Sequence, residues 1–374
     1  MKKVLVIFGT RPEGIKLAPV IGEMRKHPGI CPIVCVTAQH RQMLDHVLKL
    51  FDIEPDIDLD IMRPDQTLAE LTAKVIQKVD EVLRRETPDL VLVQGDTTTV
   101  MAAAMAAFYR RTPVGHVEAG LRSGNLYSPF PEEMNRRVAG IIGNLHFAPT
   151  KTAEKVLLDE GVPREMVFLT GNPVIDALHM VVGGPQPGKA RNLLRRAGVN
   201  GGESDPRLIL VTAHRRENFG ERFENICGGI KTLVERNSDV VVIYPVHLNP
   251  NVQEPVYRIL GGSERIILTD PVEYDVLAHL MRASCLVLTD SGGIQEEAPA
   301  LGKPVLVMRT ETERPEGIEA GTARLVGPFA EKIVSETETL LKDEAAYRQM
   351  ARAVNPYGDG HAAERIVEVL LSRP

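Results

Sequence analysis

The chain has few cysteines, no excess of positive charge and no long apolar run, and each shortage excludes something. Four cysteines in 374 residues are too few for a disulfide framework. Cys31 and Cys35, read onto one strand, would lie roughly 13 Å apart, beyond disulfide reach, so packed, reduced thiols are expected. No charged-then-apolar leader precedes Lys2-Lys3-Val4-Leu5-Val6-Ile7-Phe8, which reads as a first strand. No apolar run is long enough to span a bilayer, and a cytoplasmic location is the default expectation. The net charge of -6 argues against nucleic acid or a membrane surface as a general partner. Any bound polyanion must then be held by local cations. The GxGxxG dinucleotide fingerprint is also missing from the first strand-turn-helix, where Gly9-Thr10-Arg11-Pro12-Glu13-Gly14-Ile15-Lys16 stands instead.

What is present is ordinary in amount and regular in order. Hydrophobic residues make up 43% and charged residues 25%, as in soluble globular proteins, and the length favours two domains. Short apolar runs at Val4–Phe8, Ile33–Thr37, Leu90–Val93 and Val114–Val117 alternate with helical patterns. The plan then repeats at Leu208–Thr212, Val240–Tyr244, Arg265–Thr269, Leu286–Thr289 and Pro304–Met308. That alternation predicts an α/β protein of two Rossmann-like, doubly wound parallel-sheet domains facing a cleft. The first domain is expected over 1–170 and the second over 171–360, with a helix over 361–372 crossing back onto the first. Gly183-Gly184-Pro185-Gln186-Pro187-Gly188 is the best linker by composition.

In such sheets ligands gather beyond the carboxyl ends of the strands, and charged residues collect there. Cys285–Thr289 runs into Asp290-Ser291-Gly292-Gly293 and then a helical segment with Glu297 one turn on. Paired glycines allow close backbone approach, and a helix N-terminus with a hydroxyl suits a diphosphate; taken alone, such a turn is more often just a capped helix. Arg11 and Lys16 flank the first turn, and His214-Arg215-Arg216 ends a strand of the second half, the kind of cationic terminus a diphosphate needs. Arg314 follows in a nearby loop. Asp96, Glu118, Glu132 and Glu133 fall at strand ends or helix starts of the first half. Asp96 as an N-cap and Glu132 and Glu133 as helix-start acids each have a structural explanation, but three carboxylates converging on one rim are harder to explain by capping. Two such halves suggest a sugar-nucleotide enzyme.

These motifs carry a resemblance. Phe8-Gly9-Thr10-Arg11-Pro12-Glu13, Gln94-Gly95-Asp96-Thr97-Thr98, His116-Val117-Glu118-Ala119-Gly120, Thr212-Ala213-His214-Arg215-Arg216-Glu217-Asn218, Asp290 to Glu297 and Asn355-Pro356-Tyr357-Gly358-Asp359-Gly360 occur in that order. Together they resemble the non-hydrolysing UDP-N-acetylglucosamine 2-epimerases, relatives of the GT-B glycosyltransferases. The resemblance implies cytoplasmic interconversion of UDP-GlcNAc and UDP-ManNAc for cell-surface polysaccharide synthesis by a homodimer, with no cofactor and no metal. By it, Ser291, Gly292, Gly293, Glu297 and Arg314 bind UDP, with Arg11 and Lys16 near the phosphates. Asp96, Glu118, Glu132 and His214 are catalytic. A second UDP-GlcNAc is implied as an activator beside the active site, at Gln39, Gln42, Arg215 and His247. One departure is Asp65, where relatives often carry a basic residue; Arg63 lies two positions before it. A hydrolysing epimerase releasing ManNAc and UDP, or a glycosyltransferase, is the alternative on the same scaffold.

Overall fold

The computed structural model describes residues 1–37, 41–63, 65–202 and 204–373. They form two compact units: unit 1 is Met1–Ala177 with Tyr357–Pro374, and unit 2 is Leu178–Pro356.

Unit 1 is built on a seven-stranded sheet of β1 (Lys2–Phe8), β2 (Ile30–Val36), β3 (Ile57–Asp58), β4 (Leu90–Gln94), β5 (Val114–Val117), β6 (Leu145–Ala148) and β7 (Val167–Leu169), ordered β3-β2-β1-β4-β5-β6-β7. Every pairing is parallel. Its helices are α1 (Arg11–Arg25), α2 (Arg41–Leu50), α3 (Leu68–Glu86), α4 (Thr98–Tyr109), α5 (Glu132–Ile142), α6 (Lys151–Asp159) and α7 (Pro173–Gly183). Val4 to Phe8 are wholly buried, as expected where helices cover both faces of a parallel sheet. Helix α4 has almost no polar face, and its Ala102, Ala103, Ala104, Ala106 and Ala107 let it pack tightly in the core.

Unit 2 repeats the plan with β8 (Arg207–Thr212), β9 (Val240–Pro245), β10 (Ile266–Thr269), β11 (Leu286–Thr289), β12 (Val305–Val307) and β13 (Ala323–Leu325) in the order β10-β9-β8-β11-β12-β13. Its helices are α8 (Gly188–Arg196), α9 (Glu221–Arg236), α10 (Pro250–Leu260), α11 (Tyr274–Ala283), α12 (Gly292–Ala300), α13 (Pro315–Glu319), α14 (Ala330–Lys342) and α15 (Glu344–Ala351). The chain then returns to unit 1 as α16 (Ala362–Ser372). Ala363, Ile366, Val367 and Leu370 of α16 bury against Leu17, Val20 and Ile21 of α1, and the Asp176 carboxylate caps it by accepting the Ala362 and Ala363 N–H groups at 3.2 and 2.8 Å.

The passage from unit 1 to unit 2 falls inside α7, so the Pro/Gly stretch Gly183–Gly188 joins α7 to α8 within unit 2. Its composition marks a turn, because α7 buries Val174, Ile175, Leu178, Val181 and Val182 on either side of the division. No helix among the described residues is long and apolar enough to cross a membrane. Strand order reverses between β1 and β4 in one sheet and between β8 and β11 in the other. Each reversal opens a crevice at the strand ends, and the crevices are bordered by Gly9–Arg11 and Gly95–Asp96 in unit 1, and by Ala213–Arg215 and Asp290–Gly293 in unit 2.

Candidate active site

In unit 1 the crevice is framed by carboxylates. Thr10 caps α1, and Glu13 reaches back to accept the Gly9 and Thr10 N–H groups at 3.0 and 2.7 Å. Its other oxygen accepts the Thr97 hydroxyl at 2.7 Å, which ties the β1 turn to the β4 turn. Burial raises the Glu13 carboxyl above its usual range, against the pull of these donors. Arg11 opens α1, half-buried. Lys16, one turn on, places its Nζ 2.6 and 2.7 Å from the two oxygens of Glu118.

Glu118 directly follows β5 with φ at +63°, a left-handed conformation that a non-glycine residue holds only when its surroundings enforce it. Here they do: besides Lys16, Gln94 Nε2 donates to one Glu118 oxygen and Asn172 Nδ2 to the other at 3.0 Å. Asp96 receives Arg136 Nη2 at 2.5 Å, and its backbone carbonyl receives Asn135 Nδ2 at 3.0 Å. Its side chain is still 28% exposed, open enough for a ligand to reach. Lost solvation raises the Asp96 carboxyl; Arg136 and Lys16 oppose this and Glu118 adds to it. Arg136 also lies 3.4 Å from Glu133. Glu133 is fully buried, and although burial works against it, the Ser123 N–H and Arg137 hold its carboxylate below the usual range. Its neighbour Glu132 begins α5 and has a buried Oε2 that bonds to no described residue.

In unit 2 the crevice is cationic with a buried acid beneath. Asp290 is wholly buried and accepts the His214 N–H at 2.9 Å, the Arg215 N–H at 2.8 Å and Asn218 Nδ2 at 3.2 Å. It thereby fixes the His214-Arg215 strand end to the Ser-Gly-Gly turn. The His214 ring stacks on His247, with centroids 5.4 Å apart at 20°. Desolvation lowers the His214 pKa; Asp290 opposes this, and His247 and Arg215 add to it. Ser291 precedes α12, and its hydroxyl makes no capping bond. A side chain on Gly292 would come within 3.6 Å of the Arg215 guanidinium. Glu297 accepts the buried Tyr274 hydroxyl at 2.7 Å, while Arg314 Nε bonds to Glu296 and its N–H to the Thr312 hydroxyl. Among the described residues, no cluster of three or more His, Cys, Asp or Glu side chains is arranged to hold a metal ion.

A family model described as UDP-N-acetylglucosamine 2-epimerase matches residues 22–371. The chain belongs to the UDP-N-acetylglucosamine 2-epimerase family. This is a family of isomerases. The chain is 54% identical over 370 residues to the UDP-N-acetylglucosamine 2-epimerase of Escherichia coli K12, covering 98% of each chain. It is equally similar, again 54% over 370 residues and 98% of each chain, to that of Yersinia pestis. A crystal structure of UDP-GlcNAc 2-epimerase from Neisseria meningitidis bound to UDP-GlcNAc superposes with a TM-score of 0.89 at 48% identity, over 99% of this chain and all of that one.

Within this 2-epimerase chain, unit 1 brings Lys16, Asp96 and Glu118 into one set of loops, and unit 2 brings His214, Arg215 and the Ser291–Gly293 turn into another. Lys16, expected at the phosphates, is held by Glu118, and Arg314 by Glu296. Of the residues expected at an activator site, Gln39 lies outside the described residues and so does the side chain of Gln42. Arg215 is half-buried and His247 is exposed. Asp65 stands on an exposed turn at φ +57°. The sequence reading assigned no site role to Gln94, Asn172, Arg136 or Asp290. Gln94 and Asp290 fall inside the Gln94–Thr98 and Asp290–Glu297 motifs, and a polar residue ending a buried strand is the available signal. Nothing local marked Asn172 or Arg136.

Proposed function

We propose that the chain interconverts UDP-GlcNAc and UDP-ManNAc by eliminating and re-adding UDP. The proton at C2 of the sugar is not next to a carbonyl, so its removal needs another source of acidity. Departure of UDP from C1 supplies it: as the C1–O bond breaks, a carboxylate takes the C2 proton and 2-acetamidoglucal forms. Protonation of C2 from the opposite face and return of UDP to C1 complete the epimerisation, with no net loss or gain of atoms.

What supports this reading is that the candidate acids of unit 1 are held in unlike states: Glu118 accepts from Lys16, Gln94 and Asn172, Asp96 has raised proton affinity, and Glu132 has a buried oxygen that bonds to no described residue. Acids and bases acting on two faces of one carbon need such differences. Ser291, Gly292, Gly293 and Glu297 take the uridine diphosphate, and Arg11, His214 and Arg314 stabilise the charge that grows on it as the bond breaks. The family's UDP-GlcNAc-bound relative supports this choice of ligand. Incubation with UDP-GlcNAc in D2O, followed by NMR, is expected to show UDP-ManNAc with deuterium at C2. A product that keeps the original hydrogen refutes elimination, and free ManNAc as product assigns the chain to hydrolysis instead.

A further inference from the structure

Asp96 stands in a three-residue turn, Gly95-Asp96-Thr97, and each residue of that turn is held from a different element. The Thr97 hydroxyl donates to Glu13 of α1 at 2.7 Å. The Asp96 carbonyl accepts Asn135 Nδ2 of α5 at 3.0 Å. The Gly95 carbonyl, half of the peptide that enters Asp96, lies 2.7 Å from His116 Nε2 of β5. His116 is 1% exposed, and its buried Nδ1 has no partner among the described residues. A carbonyl can only accept, so Nε2 carries the hydrogen and the ring is the neutral tautomer with a bare Nδ1. Burial and the neighbouring His146 and Arg122 keep it neutral, with its pKa pushed down to about 4.

An unpaired buried nitrogen is costly, and an apolar side chain of like size would avoid it. The residue makes sense here for the bond its other nitrogen supplies. Gly95 has φ +81°, and its N–H is held by the Val117 carbonyl at 3.0 Å, so its own carbonyl is the end that His116 fixes. His116 also stands two residues before the strained Glu118, so one strand end sets both acids.

We propose that His116 is a positioning residue that, through the Gly95 carbonyl, fixes the peptide from which the Asp96 carboxylate is aimed. This rests on the reading of Asp96 as a group that works on the sugar. The bond is expected to matter to turnover and not to substrate binding, because His116 is 1% exposed and acts through the Gly95 carbonyl.

The test compares His116→Leu with His116→Gln in the full chain, with UDP-GlcNAc as substrate. Leucine fills the space without a donor; the glutamine amide nitrogen reaches about where Nε2 stands. His116→Leu is expected to lower kcat about 10²-fold, the loss typical of a misplaced catalytic group, with KM unchanged and deuterium entry at C2 slowed by the same factor. His116→Gln is expected to recover most of that loss. Three results overturn the proposal: a leucine variant as fast as the parent, a folded glutamine variant as slow as the leucine one, or a loss confined to KM. If leucine prevents folding, the glutamine variant alone decides by the same criterion. Deuterium entry in the parent separates the two claims: with none, the elimination reading fails whatever the variants do.

Discussion

Lys16 and Glu118 offer a sharp energetic test of the unit 1 site. Lys16 Nζ contacts both carboxylate oxygens at 2.6 and 2.7 Å, and the two side chains are 17% and 5% exposed. Removing one member of a buried pair typically costs 3–5 kcal/mol, because the other is left charged and desolvated. Lys16→Met strands Glu118, which keeps the Gln94 and Asn172 donors, so the lower end applies, about 3 kcal/mol. Glu118→Gln takes the carboxylate from Lys16, which is the better solvated of the two and keeps Asp96 nearby, so the cost falls below that range, at about 2 kcal/mol. The double variant strands neither and is expected to cost about 2 kcal/mol rather than the sum of about 5, a coupling of about 3 kcal/mol. Hydrogen exchange of the β4 and β5 amides under native conditions reads this on unit 1 alone. Additive losses within about 0.5 kcal/mol would show that the pair is not coupled in the folded state and refute the reasoning.

Three further outcomes follow from the same geometry. Asp96 binds its proton more tightly folded than unfolded, so its favourable contribution is full below its ordinary pKa and is lost as pH rises through the raised value. Asp96→Asn should therefore abolish epimerisation yet unfold at higher denaturant than the parent near pH 8, with the gain vanishing in acid; equal midpoints at both pH values count against this. Gly120 has φ +91°, and a Cβ there would lie 2.3 Å from the Ala153 carbonyl oxygen. Gly120→Ala should cost about 2–5 kcal/mol, from left-handed strain and overpacking together, visible as lost exchange protection in β5 and α6 and absent if the helix shifts freely. His116 is depressed from 6.5 to about 4. Its contribution is full above pH 6.5 and lost as pH falls through about 4, a change of about 3 kcal/mol. His116→Gln should flatten the parent's stability profile across that window, and a profile of unchanged slope would exclude His116 as the source.

The fold was legible because both halves are strongly periodic. Buried parallel strands announce themselves as apolar runs such as Val4–Phe8 and Leu286–Thr289, and helices between them leave a parallel sheet as the natural solution. The strands that escaped, Ile57–Asp58 and Ala323–Leu325, are two and three residues long, and pairing with a neighbour rather than their own pattern makes them strands. The candidate site was legible at strand ends, where Asp96, Glu118, His214 and Ser291 stand just beyond β4, β5, β8 and β11. The groups that hold those residues were not: Asn172 reaches Glu118 across 54 residues and Arg136 reaches Asp96 across 40. Such partners are set by which loops the sheet order brings together, and no local spacing encodes that. Lys16 shows the same limit from the other side. A cation beside a glycine turn suits a phosphate, and the bond it also makes to Glu118 at the end of β5 had no local signal.

The unlike holding of the three acids leads to a last prediction about which of them moves protons. A proton carrier has to exist both with and without its proton. Glu118 accepts from Lys16, Gln94 and Asn172, which commit its oxygens to accepting, and a proton there would break one of these bonds. Asp96 and Glu132 are under no such commitment: one has raised proton affinity and the other a buried oxygen that bonds to no described residue. We infer that these two serve opposite faces of C2, while Glu118 with Lys16 supplies fixed charge. Elimination from either epimer requires only the base on the face that bears its hydrogen; re-addition requires the other acid. Asp96→Asn and Glu132→Gln should therefore behave as mirror images. Each should release UDP and 2-acetamidoglucal from one epimer while leaving the other untouched, and the two variants should differ in which epimer that is. Chromatography of UDP-GlcNAc and UDP-ManNAc incubated separately with each variant reads this directly. If both variants stall on the same epimer, or if Glu118→Gln gives the one-sided pattern instead, the assignment of proton carriers is wrong, even though elimination itself stands.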